Sequence, residues 1–310
     1  MTRSRPSCPD VSGFINLYKN RGVTSFDCIR KLRMILGIKK IGHMGTLDPP
    51  ADGVLPVALG AATRLIEYAE SKAKTYRTTF RLGITTDTDD MAGNVVKVHK
   101  VPPIPIINIE PILLKFTGII DQIPPFVSAV HVEGRRAYDL ARQGRIPRLK
   151  PRKVEIFSIE ILNYEYPLLS LEIKTGPGVY IRSIARDLGE KLGCGGAVER
   201  LTRTEAGIFT IESAVSLEEI AEAKEKCELE KIIMKPLDAL SGIVRIIVKE
   251  RGYRKAVNGN PLTFDDVLNQ EVLPLIGERQ KVVIIDKAGN LIATARKENE
   301  KFIMEKVLAR

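Results

Sequence analysis

One stretch of the chain, Ile41 to Pro56, reads IGHMGTLDPPADGVLP and places a carboxylate, Asp48, between a glycine-containing run and a Pro-Pro step. Taken alone, an Asp ahead of a Pro is a turn former. Gly42, Gly45 and Gly53 admit close backbone approach or positive φ, and Pro49 and Pro50 stiffen the chain just past the acid. A stiff loop that aims one carboxylate suits an acid, a base or a nucleophile. Tyr76 lies in KTYRTTFRLG, where Tyr76, Thr78, Phe80 and Leu82 alternate with Arg77, Thr79 and Arg81. That alternation makes it a core aromatic on a sheet face; the chemical alternative is a platform for an unstacked base. Tyr180 and Arg182 sit in GPGVYIRS at a helix start. The helix dipole disfavours a cation there, so Arg182 calls for an anion, either a carboxylate such as Asp48 or a phosphate. His43 is a candidate general acid or base, yet a His in a Gly-rich loop more often makes a hydrogen bond or a stack. The DTDD acids at 87–90 match no cation-binding loop and read as solvated or as arginine partners. Cys194, without a spaced His, reads as structural.

Several elements must hold these groups. GFINLY reads as a short strand, and TSFDCIRKLRMILG as a helix capped by Thr24 or Ser25, with Cys28, Ile29, Leu32, Ile35 and Leu36 on one face and Gly37 ending it. The Asp48 stretch reads as a loop, AATRLIEYAES as a helix, KTYRTTFRLG as a half-buried strand, and residues 94–101 as a strand. NIEPILLKFTG reads as a short helix, FVSAVHV as a strand and GRRAYDLARQG as a basic helix. Two consecutive strands follow, VEIFSIEILNYEY and LLSLEIKT, and then a helix, VYIRSIARDLGEKLG, whose Ile181, Ile184, Ala185, Leu188 and Leu192 share a face. SLEEIAEAKEK opens on a capping box, Ser216 with Glu219. From 243 the texture changes to short strands joined by turns, KAGN among them. The expected organisation is a basic tail over 1–12, an α+β mixed-sheet domain over 13–242 and a small β-rich domain over 243–310.

The 310 residues, 44% hydrophobic, suffice for a sizeable core in two domains, and no apolar run is long enough for a membrane span. The N-terminus has no apolar core of a signal peptide, and four scattered cysteines without CxxC spacing favour a reduced, cytoplasmic protein. Three dispersed histidines suggest no metal site. The net charge of +10 is concentrated: residues 122–153 carry net +6 and the tail from 243 carries net +4. Charge gathered in this way is the footprint of a nucleic-acid binder, with a merely solvated basic face as the bland alternative.

GHMGTLDPPADGVL, KTYR and GVYIRSIARDLGEKLGCGGAVERLTRT, in that order, resemble three signature motifs of the TruB family of tRNA pseudouridine synthases. IPPFVSAVHVEGRRAYDLARQGRIP resembles the insertion with which that family grips RNA, and the resemblance runs from Gly13 to Thr210. It implies a mixed-sheet catalytic domain with a small PUA-type domain after it. The implied reaction is isomerisation of uridine to pseudouridine at position 55, in the T arm of tRNA, by a monomer needing no guide RNA, protein partner, metal or organic cofactor. A base stacked in the T loop must be flipped out. Asp48 falls at the family's nucleophile, which attacks either the base or the sugar carbon and holds it while the base turns. Arg182 is implied to pair with Asp48, Tyr76 to stack on the uracil and offer a proton relay, and Tyr180 and Leu201 to line the pocket. His43 is implied to lie beside the T-loop bases, Lys19 to be a retained substrate-site residue, and Arg142, Arg145 and Arg148 to meet phosphates. LYKN, with Tyr18 and Asn20, departs from the family's usual DKP, and Met44, Pro50 and Asp52 are less usual within the signature. A guide-dependent dyskerin-like synthase, a non-catalytic RNA binder and a glycosidase are the competing readings. The last would want two placed carboxylates, and Asp52 has no motif support.

Overall fold

The computed structural model describes residues 11–69, 73–126, 131–132, 135–136 and 149–308. β1 (Gly13–Lys19) leads into α1 (Ser25–Leu36). Thr24 caps α1 in a reciprocal box with Asp27, and Gly37 ends it in the left-handed region at φ 75°. β2 (Ile41–His43) and β3 (Asp52–Leu59) then frame the Asp48 loop, so both ends of the stretch read as loop are paired strands. A helix was expected over AATRLIEYAES, but Gly60–Leu65 is a 3₁₀ turn followed by one short turn, α2 (Ile66–Ala69). Ala62 and Leu65 are its buried residues. Their spacing of three matches the eclipsed i, i+3 side chains of a 3₁₀ helix.

β4 (Lys74–Leu82) carries Tyr76 and is followed by the hairpin β5 (Ile84–Thr86) and β6 (Val95–Val98). α3 (Ile106–Leu114) starts earlier than NIEPILLKFTG implied, because Pro105, already at φ −64°, takes the N-cap position. β7 (Gly118–Gln122) leads towards the basic segment. There Arg135 and Arg136 form β9 (Arg135–Arg136), paired with β8 (His131–Val132), and not the start of a helix. Cross-strand pairing with β8 overrides local helix propensity at these two residues. The rest of GRRAYDLARQG, including Arg142, and also Arg145 and Arg148, lie outside the described residues.

β10 (Arg152–Glu165) and β11 (Leu168–Thr175) form an antiparallel pair, α4 (Ile181–Lys191) follows, and β12 (Gly196–Ala206) returns to the sheet with β13 (Phe209–Thr210) at its end. α5 (Leu217–Glu225) opens on the expected Ser216–Glu219 capping box. The main sheet has nine strands, in the order β1-β3-β12-β4-β11-β10-β7, with β2 on β3 and β13 on β12. Only β3 and β12 run parallel within it, which makes it a mixed sheet. Leu32, Leu55, Phe80, Leu171 and Leu188 belong to one core beneath α1 and α4.

β14 (Val244–Ile247), α6 (Glu250–Val257), β15 (Leu262–Thr263), β16 (Lys281–Ile285), β17 (Leu291–Glu298) and β18 (Lys301–Val307) build a five-stranded sheet. Val283 and Ile285 of β16 share a core with Phe14, Val54, Leu65 and Phe209, so this sheet is seated on the back of β1 and β3. No described helix is long and apolar enough to cross a membrane.

Candidate active site

The Asp48 loop hangs from three buried polar side chains. Ser25, at the start of α1, accepts from the N–H of Leu47 at 3.0 Å and donates to its carbonyl at 3.1 Å. Lys19, fully buried at the end of β1, donates to the carbonyls of Ala51 at 2.6 Å, Asn20 at 3.2 Å and Pro49 at 3.4 Å. Arg203 of β12, also fully buried, donates to the carbonyls of Val54 at 2.7 Å, Gly45 at 3.2 Å and Thr46 at 3.4 Å. Two cations thus hold the chain on either side of Asp48 by its carbonyl oxygens. Burial pulls the Lys19 ammonium below its ordinary value, against the opposing pull of Cys28, Asp52 and Asp48. Gly53 is obligatory here: its φ is +105°, and a Cβ would lie 2.2 Å from the Arg203 carbonyl oxygen. Lys19, expected among the substrate-binding residues, has its three donors taken by carbonyls and no surface that reaches solvent.

Arg182, in the first turn of α4, is 5% exposed, whereas the side chain of Asp48 is 36% exposed. Its Nη2 lies 2.9 Å from Asp48 Oδ2, its Nε 3.7 Å from Asp90 Oδ2, and its Nη1 donates to the Thr88 carbonyl at 3.0 Å. The unfavourable position of a cation at a helix N-terminus is thereby offset by two carboxylates brought from other elements. A second arginine of α4, Arg186, meets Asp89 at 3.1 Å and Asp187 at 2.8 Å. Burial pushes the Asp89 carboxyl up, with Arg186 and Arg182 pulling it back. Asp89 and Asp90 are therefore arginine partners, while Asp87 accepts from the backbone and side-chain N–H groups of Asn94.

Asp48, Tyr76, Tyr180, Arg182 and Leu201 line one cleft of about 250 Å³, together with Lys74. Tyr76 reaches it from β4, Leu201 from β12 and Tyr180 from the turn before α4. Pairing of β4 with β12 sets Leu201 opposite Thr78 and Arg203 opposite Tyr76. His43, half-buried at the end of β2, pairs with Val57 and does not line this cleft. Lys74 and Arg203 were not singled out from sequence, Ser25 was read only as a cap candidate and Asp90 only as one of the DTDD acids. The acidity of DTDD signalled Asp90, whereas nothing local marks a serine or arginine whose partners are loop carbonyls. Among the described residues no group of three or more His, Cys, Asp or Glu is disposed to hold a metal. Cys28 and Cys194 are buried free thiols and Cys227 is an exposed one.

Comparison with known proteins gives the family. The model of the TruB family pseudouridylate synthase N-terminal domain matches residues 33–181, and that of the tRNA pseudouridylate synthase B C-terminal domain matches residues 182–241. The chain is 40% identical over 305 residues to tRNA pseudouridine synthase B of Prochlorococcus marinus, covering 94% of this chain and 95% of that one. It is 40% identical over 286 residues to the same-named protein of Syntrophomonas wolfei, covering 90% and 94%. In fold it is similar to a chain in the structure of a Cbf5-Nop10-Gar1 complex, with a TM-score of 0.74, 26% identity and coverage of 96% of this chain and 84% of that one. On the strength of these matches across the nine-stranded sheet and the cleft it carries, the chain belongs to the TruB family of pseudouridylate synthases.

Proposed function

We propose that this chain isomerises uridine to pseudouridine in the T arm of tRNA, at position 55, acting on bare RNA without a guide. The observation that carries the reading is Asp48, held by a buried arginine and presented to a cleft walled by Tyr76, Tyr180 and Leu201. The relatives named tRNA pseudouridine synthase B support tRNA as the substrate, at 40% identity against 26% for the Cbf5 complex.

The reaction breaks the glycosidic C–N bond and forms a C–C bond at the same sugar carbon; the new carbon centre loses a proton and the released nitrogen gains one. The target base leaves its stack and enters the cleft. Asp48 attacks and holds the covalent intermediate while the base turns. Arg182 keeps the carboxylate aimed through a charge-assisted hydrogen bond. Tyr76 stacks on the uracil and relays the proton, and Tyr180 and Leu201 exclude water. Lys19 and Arg203 act from beneath by fixing the loop. His43 contacts the neighbouring T-loop bases, and Arg142, Arg145 and Arg148 contact phosphates. Residues 13–242 form the catalytic unit and residues 243–310 a PUA-type RNA-binding unit.

The test is incubation of the purified chain with an unmodified tRNA transcript, followed by chemical mapping of pseudouridine. Product in the T loop is expected, and none from D48N, which still binds tRNA. Absence of product until guide RNA and partner proteins are added would overturn the stand-alone reading. Free uracil in place of pseudouridine would make the enzyme a glycosidase.

A further inference from the structure

The strand that leads to the basic segment and the wall of the cleft meet at one side chain. Gln122 closes β7, the last strand of the nine-stranded sheet, and is 1% exposed. Its carboxamide oxygen accepts from the backbone N–H of Tyr180 at 2.8 Å, and its amide nitrogen donates to the Tyr180 carbonyl at 3.1 Å. This is the pair of bonds that one strand gives another, supplied here by a side chain. Tyr180 starts α4 without capping it through its own side chain, and the first turn of that helix contains no acid. Orientation of the turn is thus left to groups from outside the helix.

The attachment continues one residue further. The Ile123 carbonyl accepts from Ser183 Oγ at 2.8 Å and from Arg186 Nη2 at 2.9 Å. Arg186 also reaches Asp89, whose neighbour Asp90 faces Arg182 behind Asp48. The root of the basic segment, the first two turns of α4 and the acid loop form one connected set of polar contacts.

We propose that Gln122 is a positioning residue for the isomerisation: its carboxamide sets the backbone of Tyr180, and with it the cleft wall and the turn that carries Arg182. Resting on the function proposed above, this makes Gln122 a link between the end of β7 and the geometry around Asp48. Tyr180 is bonded to Gln122, and Ser183 and Arg186, which follow Arg182 on the same helix, are bonded to the Ile123 carbonyl, so a displacement of this strand end is passed to the turn that carries Arg182. Small displacements of such groups are costly in rate.

Single-turnover kinetics on bare tRNA transcript, with wild type, Q122L, Q122E and D48N, tests it. Q122L keeps the volume and loses both bonds. It is expected to bind tRNA as wild type does and to isomerise it at least about tenfold more slowly at saturation. Q122E supplies a second readout. Its introduced carboxyl, when protonated, donates to the Tyr180 carbonyl and accepts from the N–H; when ionised it is acceptor-only. The ratio of Q122E rate to wild-type rate is therefore expected to fall as pH rises between about 5.5 and 8.5, since burial raises a carboxyl's pKa. A residue that served stability alone would lower the melting temperature and leave that ratio flat in folded protein. Q122L at the wild-type rate, or a Q122E ratio that stays flat at any level, would overturn the proposal. If Q122L does not fold, the pH dependence of the Q122E ratio decides. Failure of the underlying function reads differently: wild type makes no pseudouridine on the transcript, or D48N retains activity.

Discussion

Two clusters of buried charge among the described residues are inverted with respect to each other. Around Asp48 the cation is hidden and the anion is open: Arg182 is 5% exposed and the Asp48 side chain 36%. In the five-stranded sheet the anion is hidden and the cations are open. Asp266 is fully buried, while Arg251 and Lys255, at 2.7 and 2.8 Å from its oxygens, are 64% and 34% exposed. Asp266 also accepts from the N–H and hydroxyl of Thr263, which it caps in return. Burial opposes its ionisation, but the bonds from Lys255, Thr263 and Arg251 outweigh burial and hold its carboxyl well below the usual range. A carboxylate with all its lone pairs engaged is a structural tie. A carboxylate held from behind by one buried guanidinium, with its other side facing a cleft, is placed for the nucleophilic role proposed for Asp48. Which partner the protein buries separates the two roles.

The sharpest way to break this comparison is to neutralise the open anion. D48N is expected to lower isomerisation by about 10⁴-fold or more while leaving tRNA binding intact, as single-turnover rates and filter binding would show. Unchanged activity would remove the distinction between proposed nucleophile and tie. Next in size is the hidden cation: R182M leaves Asp90 buried beside no guanidinium. It is expected to cost about 3–5 kcal/mol in urea unfolding and at least about 10²-fold in rate. D266N is expected to destabilise by about 2–3 kcal/mol, yet leave the single-turnover rate of folded enzyme within about twofold.

Acid titration separates the clusters by sign. Asp266 is depressed below its ordinary 3.8, so its contribution is complete above that pH and is lost as pH falls through the folded-state value. Asp89 is raised above 3.8 by burial, so its contribution is present below that value and is lost as pH rises through the folded-state value. Urea melts on acidification should therefore show the gap between wild type and D266N narrowing, and the gap between wild type and D89N widening. The smallest effect belongs to an exposed control on α6. Arg254 and Glu250 are 77% and 75% exposed, and E250Q is expected to change stability by less than about 0.5 kcal/mol.

Much of the scaffold was legible in local pattern. Thr24 and Gly37 bracket α1, Ser216 and Glu219 open α5, and strict alternation marks β4. The elements that diverged are those whose outcome depends on partners outside the segment. Gly60–Leu65 is a 3₁₀ turn with Ala62 and Leu65 buried, and Arg135–Arg136 pairs as a strand with β8. At the site, Asp48, Tyr76, Tyr180, Arg182 and Leu201 stand in recognisable motifs, and the structure brings them to one cleft. Lys19 was recognisable as a residue that matters, but its burial beneath the loop could not be read, because a lysine's partners here are carbonyls contributed by Asn20, Pro49 and Ala51.

The sequence by itself determined which residues stand in the site motifs and where helices such as α1 and α5 and the strand β4 lie, because caps, glycines and periodicity act within a few residues of one another. Only the tertiary structure decided that the DTDD loop backs Arg182, that Arg203 and Lys19 suspend the Asp48 loop, and that Gln122 stands in as a strand for Tyr180. Those contacts join residues far apart in the chain through backbone carbonyls and buried charge. Their free energy exists only once the sheet has assembled and water has been excluded.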